Sequence, residues 1–335
     1  MSEAPEFEAR LKAAIDNKTK PLGALGRIEA LAAQIARVQR SLTPRMDTCA
    51  LTIFAADHGI ADEGVSAYPQ AVTRQMVANF LSGGAAANVF ARTLGATVTV
   101  VDAGVAGDPM DMAGLVSCRI GAGTANSAKG PAMTASEVDR ALAAGREMGD
   151  DATADAVAFG EMGIANTSAA ALVLSKMLGV PVADLTGRGT GVDDEGLARK
   201  RGVLTRAAAR TASRLPGHQA LAEYGGFEIA MMAGAMLGAA RARKVVLVDG
   251  FIATAAAAAA LSIDPAIRPA LVFCHLSGEA GHRAALAALG AEPLLSLDLR
   301  LGEGTGALLA WPLLRAAAAM LTDMASFDSA GVSRG

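Results

Sequence analysis

Aromatic residues are scarce in this chain: Phe, Trp and Tyr make up 4% of its 335 residues, and Trp311 is the one tryptophan. So few rings offer no row of platforms for stacked bases. No basic tail or extended Lys/Arg run tracks a phosphate backbone, and 30 basic against 33 acidic side chains leave a net charge of −3. Nucleic acid is thereby excluded as a partner. Cysteine is rare too. Cys49, Cys118 and Cys274 are odd in number, widely spaced and form no CxxC, which excludes a disulfide framework. Reduced, buried thiols in a cytoplasmic protein are the expectation. The opening MSEAPEFEARLK is charged and shows no apolar signal region. The most apolar stretch, 229–240, follows Glu228 and is shorter than the roughly 20 residues a bilayer requires, so no membrane is expected.

Standard chemical signatures are missing as well. There is no GxxxxGK[ST], HExxH or GxSxG, and TGRGTG at 186–191 has the wrong glycine spacing for a dinucleotide fingerprint. His58, His218, His275 and His282 form no i, i+4 pair, so they read as hydrogen-bonded loop histidines rather than metal ligands.

What is present is apolar volume: 52% of the residues are hydrophobic and 19% charged, enough for a sizeable core. Six short apolar runs, 49–56, 97–102, 156–159, 244–249, 270–275 and 293–298, read as strands. Between and around them lie helical patterns at 6–15, 24–40, 70–81, 136–149, 166–178, 194–213, 225–241, 280–290 and 306–322. Near-continuous apolar strands alternating with helices predict a buried parallel sheet. Residues 107–134 read as an irregular excursion, and the tail from Ser326 as loosely held.

Polar residues and glycines gather after the strands: DHG at 57–59, DAG at 102–104, GEMG at 160–163, DG at 249–250, HLSGE at 275–279 and RLGEGTG at 300–306. The carboxyl ends of parallel strands are where open α/β sheets bind ligands. In GEMGIANTS (160–168), Asn166, Thr167 and Ser168 open a helix. They serve either as an N-cap or as a cradle where free N–H groups and the helix dipole face a phosphate. In 186–200, Asp193, Asp194 and Glu195 suit a helix start, whereas Arg188 or Lys200 suits a phosphate. Glu303 stands between two glycines, so its carboxylate is unobstructed.

Taken together, the segments resemble the nicotinate-nucleotide–dimethylbenzimidazole phosphoribosyltransferase family. The matching stretches are 17–32, 56–89, 160–172, 187–200, 225–235, 248–257 and 275–307, in order along nearly the whole chain. The family's GIGNTT reads GIANTS here, with Ala165 and Ser168 as the departures. The resemblance implies an α/β fold: a Rossmann-like, mostly parallel six-stranded sheet flanked by helices. It also implies a small helical domain from both termini, 1–45 plus about 306–335, beside a large domain at 46–305. The implied reaction moves phosphoribose from nicotinate mononucleotide to 5,6-dimethylbenzimidazole. Its products are α-ribazole 5′-phosphate and nicotinate, a step in cobalamin lower-ligand assembly. The implied assembly is a homodimer, and no metal or redox cofactor is called for.

By the same resemblance, Glu303 is the general base. Ser66, Tyr68, Gln75, Leu301 and Gly302 surround the acceptor base. Glu161, Gly163, Asn166, Thr167, Lys200, Asp249 and Ser277 hold the ribose and phosphate. Asp57 and His58 match the family's DHG but receive no role. Two alternatives remain at this level: the same transfer to another base or a phenol, or a nucleotide-binding module without catalysis.

Overall fold

The computed structural model describes residues 3–189 and 191–333. Thr190 of the TGRGTG stretch, and Met1, Ser2, Arg334 and Gly335 of the two terminal segments, lie outside the described residues. Six strands form one parallel sheet: β1 (Cys49–Ala56), β2 (Ala96–Gly104), β3 (Leu115–Ser117), β4 (Ala156–Met162), β5 (Val245–Val248) and β6 (Leu271–Phe273). Their order is β3-β2-β1-β4-β5-β6. The chain winds outward from β1 to β3, then returns to β1's other side as β4. The reversal leaves a crevice between β1 and β4 at their carboxyl ends.

The strands are apolar on both faces because both faces are covered. Along β1, Phe54 and Ala56 point into one core, and Leu51, Ile53 and Ala55 into the other. Helices Ala135–Asp150, Asn166–Leu178, Phe227–Arg241 and Phe251–Ile263 build the first core. Helices Arg27–Gln39, Ala86–Leu94 and Thr305–Thr322 build the second. The abundant small residues let helices touch backbone to backbone. A Cβ on Gly145 would stand 2.0 Å from Met231 O, and one on Gly234 2.2 Å from Leu142 O.

One expected strand is corrected. The run at 293–298 contributes only β8 (Leu295–Ser296), which pairs with β7 (His275–Leu276) in a separate two-stranded sheet. The sixth strand of the main sheet is β3, inside the stretch that reads as irregular. An edge strand of three residues, with one neighbour and mostly exposed side chains, carries no continuous apolar run. Helix ends also shift. The helix expected at 194–213 stops at Ala208, and the one expected at 24–40 starts at Arg27, after turns at Gly23 and Gly26 with φ of 71° and 51°.

The terminal segments meet. Lys18 bridges Ser326, Thr19 N–H donates to Ala325 O at 3.1 Å, and Phe327 N–H donates to Asn17 O at 2.9 Å. The tail is therefore pinned at Ser326 rather than loose, and a capping box of Ser326 and Ser329 starts the short helix Phe327–Ala330. Helix Thr305–Thr322 is long and apolar enough to cross a bilayer, but 61% of it is buried in the protein. The three cysteines are free; Cys49 and Cys274 are buried as expected, while Cys118 is only half-buried.

Candidate active site

Loops after β4, β5 and β7 enclose one cavity with the 300–303 segment. Three helices point their N-termini at this region: Asn166–Leu178, Phe251–Ile263 and Thr305–Thr322. The residues before them are Ala165, Gly250 and Gly304, none of which offers a capping side chain. Helix N-termini carry partial positive charge and orphan N–H groups, so two of them beside one cavity favour an anion there. At the third, Asp249 supplies the missing acceptor from afar. Its Oδ2 accepts from Gly304 N–H at 3.3 Å and its Oδ1 from Ala307 N–H at 2.9 Å.

The capping expected of Asn166, Thr167 and Ser168 does not occur, because a cap must precede the helix and Ala165 holds that place. Ala165 adopts the left-handed region with φ 74°, the conformation that the family's usual glycine takes more easily. Asn166 begins the helix and its Nδ2 donates to Glu161 Oε2. The N–H groups of Asn166 and Ser168 are already committed, to Gly163 O at 3.1 Å and Ala165 O at 2.9 Å. Lys200 Nζ donates to Thr167 Oγ1 at 2.9 Å. The buried ammonium is pushed down to about 8 by desolvation, against the pull of Glu279. Ser277 lines the same side of the cavity.

The Ser277 loop is fixed by a relay with a determined tautomer. Ser277 N–H donates to His282 Nδ1 at 2.9 Å. The ring proton therefore sits on Nε2 and is shared with Thr254 Oγ1 at 3.0 Å, while Thr254 donates to Gly250 O at 2.8 Å. Burial, and then neighbouring His275, pushes His282 down to about 3, which keeps it neutral. The relay ties the Ser277 loop to the start of helix Phe251–Ile263.

Glu303 stands in the left-handed region at φ 62°, between Gly302 and Gly304, which are left-handed too. Its residue is 6% exposed, and its Oε2 has no hydrogen-bond partner among the described residues. Burial, chiefly, pushes its carboxyl up to about 7, with Asp249 adding to the rise. A carboxylate near neutral pKa with a free oxygen can take a proton from a bound molecule. Glu161 is buried beside it, and its Oε1 lies 3.4 Å from Glu303 N. Desolvation, then the charges of Asp249 and Glu228, raise the Glu161 carboxyl well above its ordinary value.

The cavity thus brings together Glu161, Gly163, Asn166, Thr167, Asp249, Ser277, Leu301, Gly302 and Glu303 of the expected site. Lys200 stands immediately behind Thr167. Ser66, Tyr68 and Gln75 do not line it. Ser66 and Tyr68 lie on the loop before helix Ala71–Leu81, and Gln75 is exposed on that helix. Arg188 is used locally, held by Asp194 and by Val192 O at 3.0 Å. Asp193 caps its helix through Gly196 N–H at 2.8 Å, so the loop-and-cap reading of that segment holds. Sequence reasoning missed Arg300, Glu279 and the Gly250–Ala253 turn, which also line the cavity. Two signals were present: Gly250 follows a strand directly, and Arg300 precedes the glycine-flanked Glu303.

Of the remaining histidines two are bonded, whereas buried His275 has no partner for its Nδ1 among the described residues and holds its Nε2 3.7 Å from Asp249 Oδ1. His58 Nε2 and Glu228 Oε1 are 2.7 Å apart in the interior, and His218 meets Asp139 at 2.8 Å. No group of three His, Cys, Asp or Glu suited to a metal occurs among the described residues.

Fold and cavity match one class of enzyme. A phosphoribosyltransferase family model matches residues 2–332. Within that class, the nicotinate-nucleotide–dimethylbenzimidazole phosphoribosyltransferase of Ralstonia nicotianae is 55% identical over 334 residues, covering 98% of this chain and 94% of that protein. Its counterpart in Cupriavidus necator is 56% identical over 326 residues, covering 96% and 94%. The crystal structure of CobT from Thermus thermophilus matches with a TM-score of 0.95 at 49% identity, covering 99% of this chain and 100% of that one. The chain belongs to the nicotinate-nucleotide–dimethylbenzimidazole phosphoribosyltransferase family.

Proposed function

We propose that the cavity transfers phosphoribose from nicotinate mononucleotide to 5,6-dimethylbenzimidazole in cobalamin lower-ligand assembly. The observation that carries this reading is the free, buried Oε2 of Glu303 on a carboxyl poised near 7. In the donor, the bond from C1′ to the pyridinium nitrogen breaks, and its electron pair neutralises the departing ring. That leaving group needs no general acid, unlike the oxygen leaving groups that oblige glycosidases to use two carboxyls. One benzimidazole nitrogen attacks C1′ from the opposite face, turning the β-linkage into α. The other nitrogen gives up its proton to Glu303 Oε2. The balance closes without a cofactor.

The 5′-phosphate is assigned to the N-termini of Asn166–Leu178 and Phe251–Ile263, with Thr167, Ser277 and Lys200 as side-chain donors. Glu161, Gly163, Asn166 and Asp249 take the ribose side. Leu301 and Gly302 flank the acceptor in the cavity, and Ser66, Tyr68 and Gln75, which lie outside the cavity lining, are assigned to the loop and helix on the acceptor's outer side. We read the enzyme as a cytoplasmic homodimer in which residues 1–45 and about 306–335 form the small helical domain. Light scattering should give twice the 33.7 kDa chain mass, and a fully active monomer would contradict the dimer.

The deciding experiment follows nicotinate release from nicotinate mononucleotide with a panel of acceptors. Release that depends on dimethylbenzimidazole, with α-ribazole 5′-phosphate as product, is the expected result. Preference for adenine or a phenol would change the acceptor. Binding without release would leave only a nucleotide-binding module.

A further inference from the structure

We propose that Asp57 and His58, at the end of β1, are positioning residues that set the phosphate turn and the acceptor-side loop relative to each other, acting through Thr73 and Gln70. The inference rests on the phosphoribosyl-transfer reading above. Neither Asp57 nor His58 lines the cavity, and both are almost fully buried.

On the phosphate side, the Thr73 hydroxyl donates to Asp57 Oδ1 at 2.6 Å and accepts from Ile164 N–H at 3.1 Å. Asp57 Oδ2 accepts from Ala106 N–H at 2.9 Å, so both carboxylate oxygens are anchored. Ile164 immediately precedes Ala165, whose left-handed φ of 74° launches helix Asn166–Leu178 without a capping side chain. A strained turn persists only where its surroundings over-determine it. Here the chain Asp57–Thr73–Ile164 supplies that constraint. The two loops also touch directly: a Cβ on Gly163 would lie 2.3 Å from Ala56 O. A shift at the end of β1 therefore reaches the phosphate turn undamped.

On the acceptor side, Gln70 Nε2 donates to His58 O at 2.9 Å. Gln70 closes the loop that carries Ser66 and Tyr68 and precedes helix Ala71–Leu81. The His58 ring is itself immobilised by Glu228, at 2.7 Å in the interior. The adjacent residues Asp57 and His58 thus hold both the phosphate turn and the acceptor-side loop. Their adjacency leaves no room for the halves to drift apart.

The test measures both substrates against variants of the full chain, with kinetic values scaled to folded protein. Thr73→Val keeps the shape but loses the donor to Asp57 and the acceptor for Ile164. It should raise KM for nicotinate mononucleotide about tenfold, the scale of weakening one hydrogen bond to a charged phosphate, and change kcat less. Thr73→Ser should restore near-normal KM. Gln70→Met should raise KM for dimethylbenzimidazole about fivefold or more and leave the donor KM unchanged. A residue that merely cements the fold predicts a lower Tm with both KM values intact, and that outcome overturns the proposal. So does an equal rise of both KM values in both variants. Should Thr73→Val not fold, Gln70→Met decides: an unchanged acceptor KM sinks the hub. Should the wild type release no nicotinate, the functional reading falls, and calorimetric Kd values for the two molecules test the hub by the same split.

Discussion

The backbone N–H of Ala87, in the first turn of helix Ala86–Leu94, faces the carboxylate of Glu303 and favours its anion. The carboxylate keeps an open oxygen, because Oε2 has no partner among the described residues. Desolvation favours the neutral acid and the Ala87 donor favours the anion; burial wins, and the carboxyl rests at about 7. The left-handed backbone at Glu303, φ 62°, stores strain of about 1 kcal/mol that the two flanking glycines make tolerable.

Glu303→Gln separates base catalysis from turn structure. Glutamine retains an oxygen for the Ala87 N–H but cannot take a proton. The expected result is a loss of roughly 10²–10⁴ in kcat with little change in either KM and no loss of Tm. Near-wild-type turnover by a well-folded variant would remove Glu303 from the chemistry.

The pH profile of kcat/KM should be bell-shaped. As the proposed base, Glu303 would act only when ionised, so activity should fall as pH drops through about 7. Lys200 is charged only below about 8, so KM for nicotinate mononucleotide should climb above that pH. Lys200→Met should erase the alkaline limb and raise KM more than it lowers kcat. An alkaline limb unchanged in that variant would assign it to another group. Stability carries the opposite signature at Glu303. Its folded-state value is raised above the ordinary 4.5, so the native state binds more protons between the two values. That contribution is complete below 4.5 and is lost as pH rises through about 7. Comparing melting of wild type and Glu303→Gln across this window checks the sign.

Gly302→Ala tests the crowding between the two glutamates. A Cβ there would stand 2.1 Å from Glu161 Oε1, on a backbone with φ +85°. Relief requires moving Glu161 or the Glu303 turn. We expect a stability loss of about 1–2 kcal/mol from the left-handed backbone alone, and a fall in kcat/KM of about tenfold or more. Unchanged kinetics would show that the turn yields without disturbing the carboxylates.

The sequence by itself determined the layered α/β fold. Strands covered on both faces must be apolar throughout, and β1, β4 and β5 are buried along nearly their whole length. It also marked Glu303 as a candidate, a carboxylate between two glycines at a strand-end loop, although the role of base came from the family resemblance. Edge strand β3 was hidden, since a strand with one neighbour leaves no continuous apolar trace. Tertiary structure alone decided how the polar groups pair. His58 and Glu228 are 170 residues apart, and Asp249 meets Ala307 across 58. Asp249 looks ribose-facing from its place after β5, yet its oxygens also cap the helix that follows Glu303. Asn166 looks like a cap and is instead a donor to Glu161. Burial pattern is a property of each segment and is written along the chain. Hydrogen-bond partners and shifted acidities belong to pairs, and only the packed fold brings those pairs within reach.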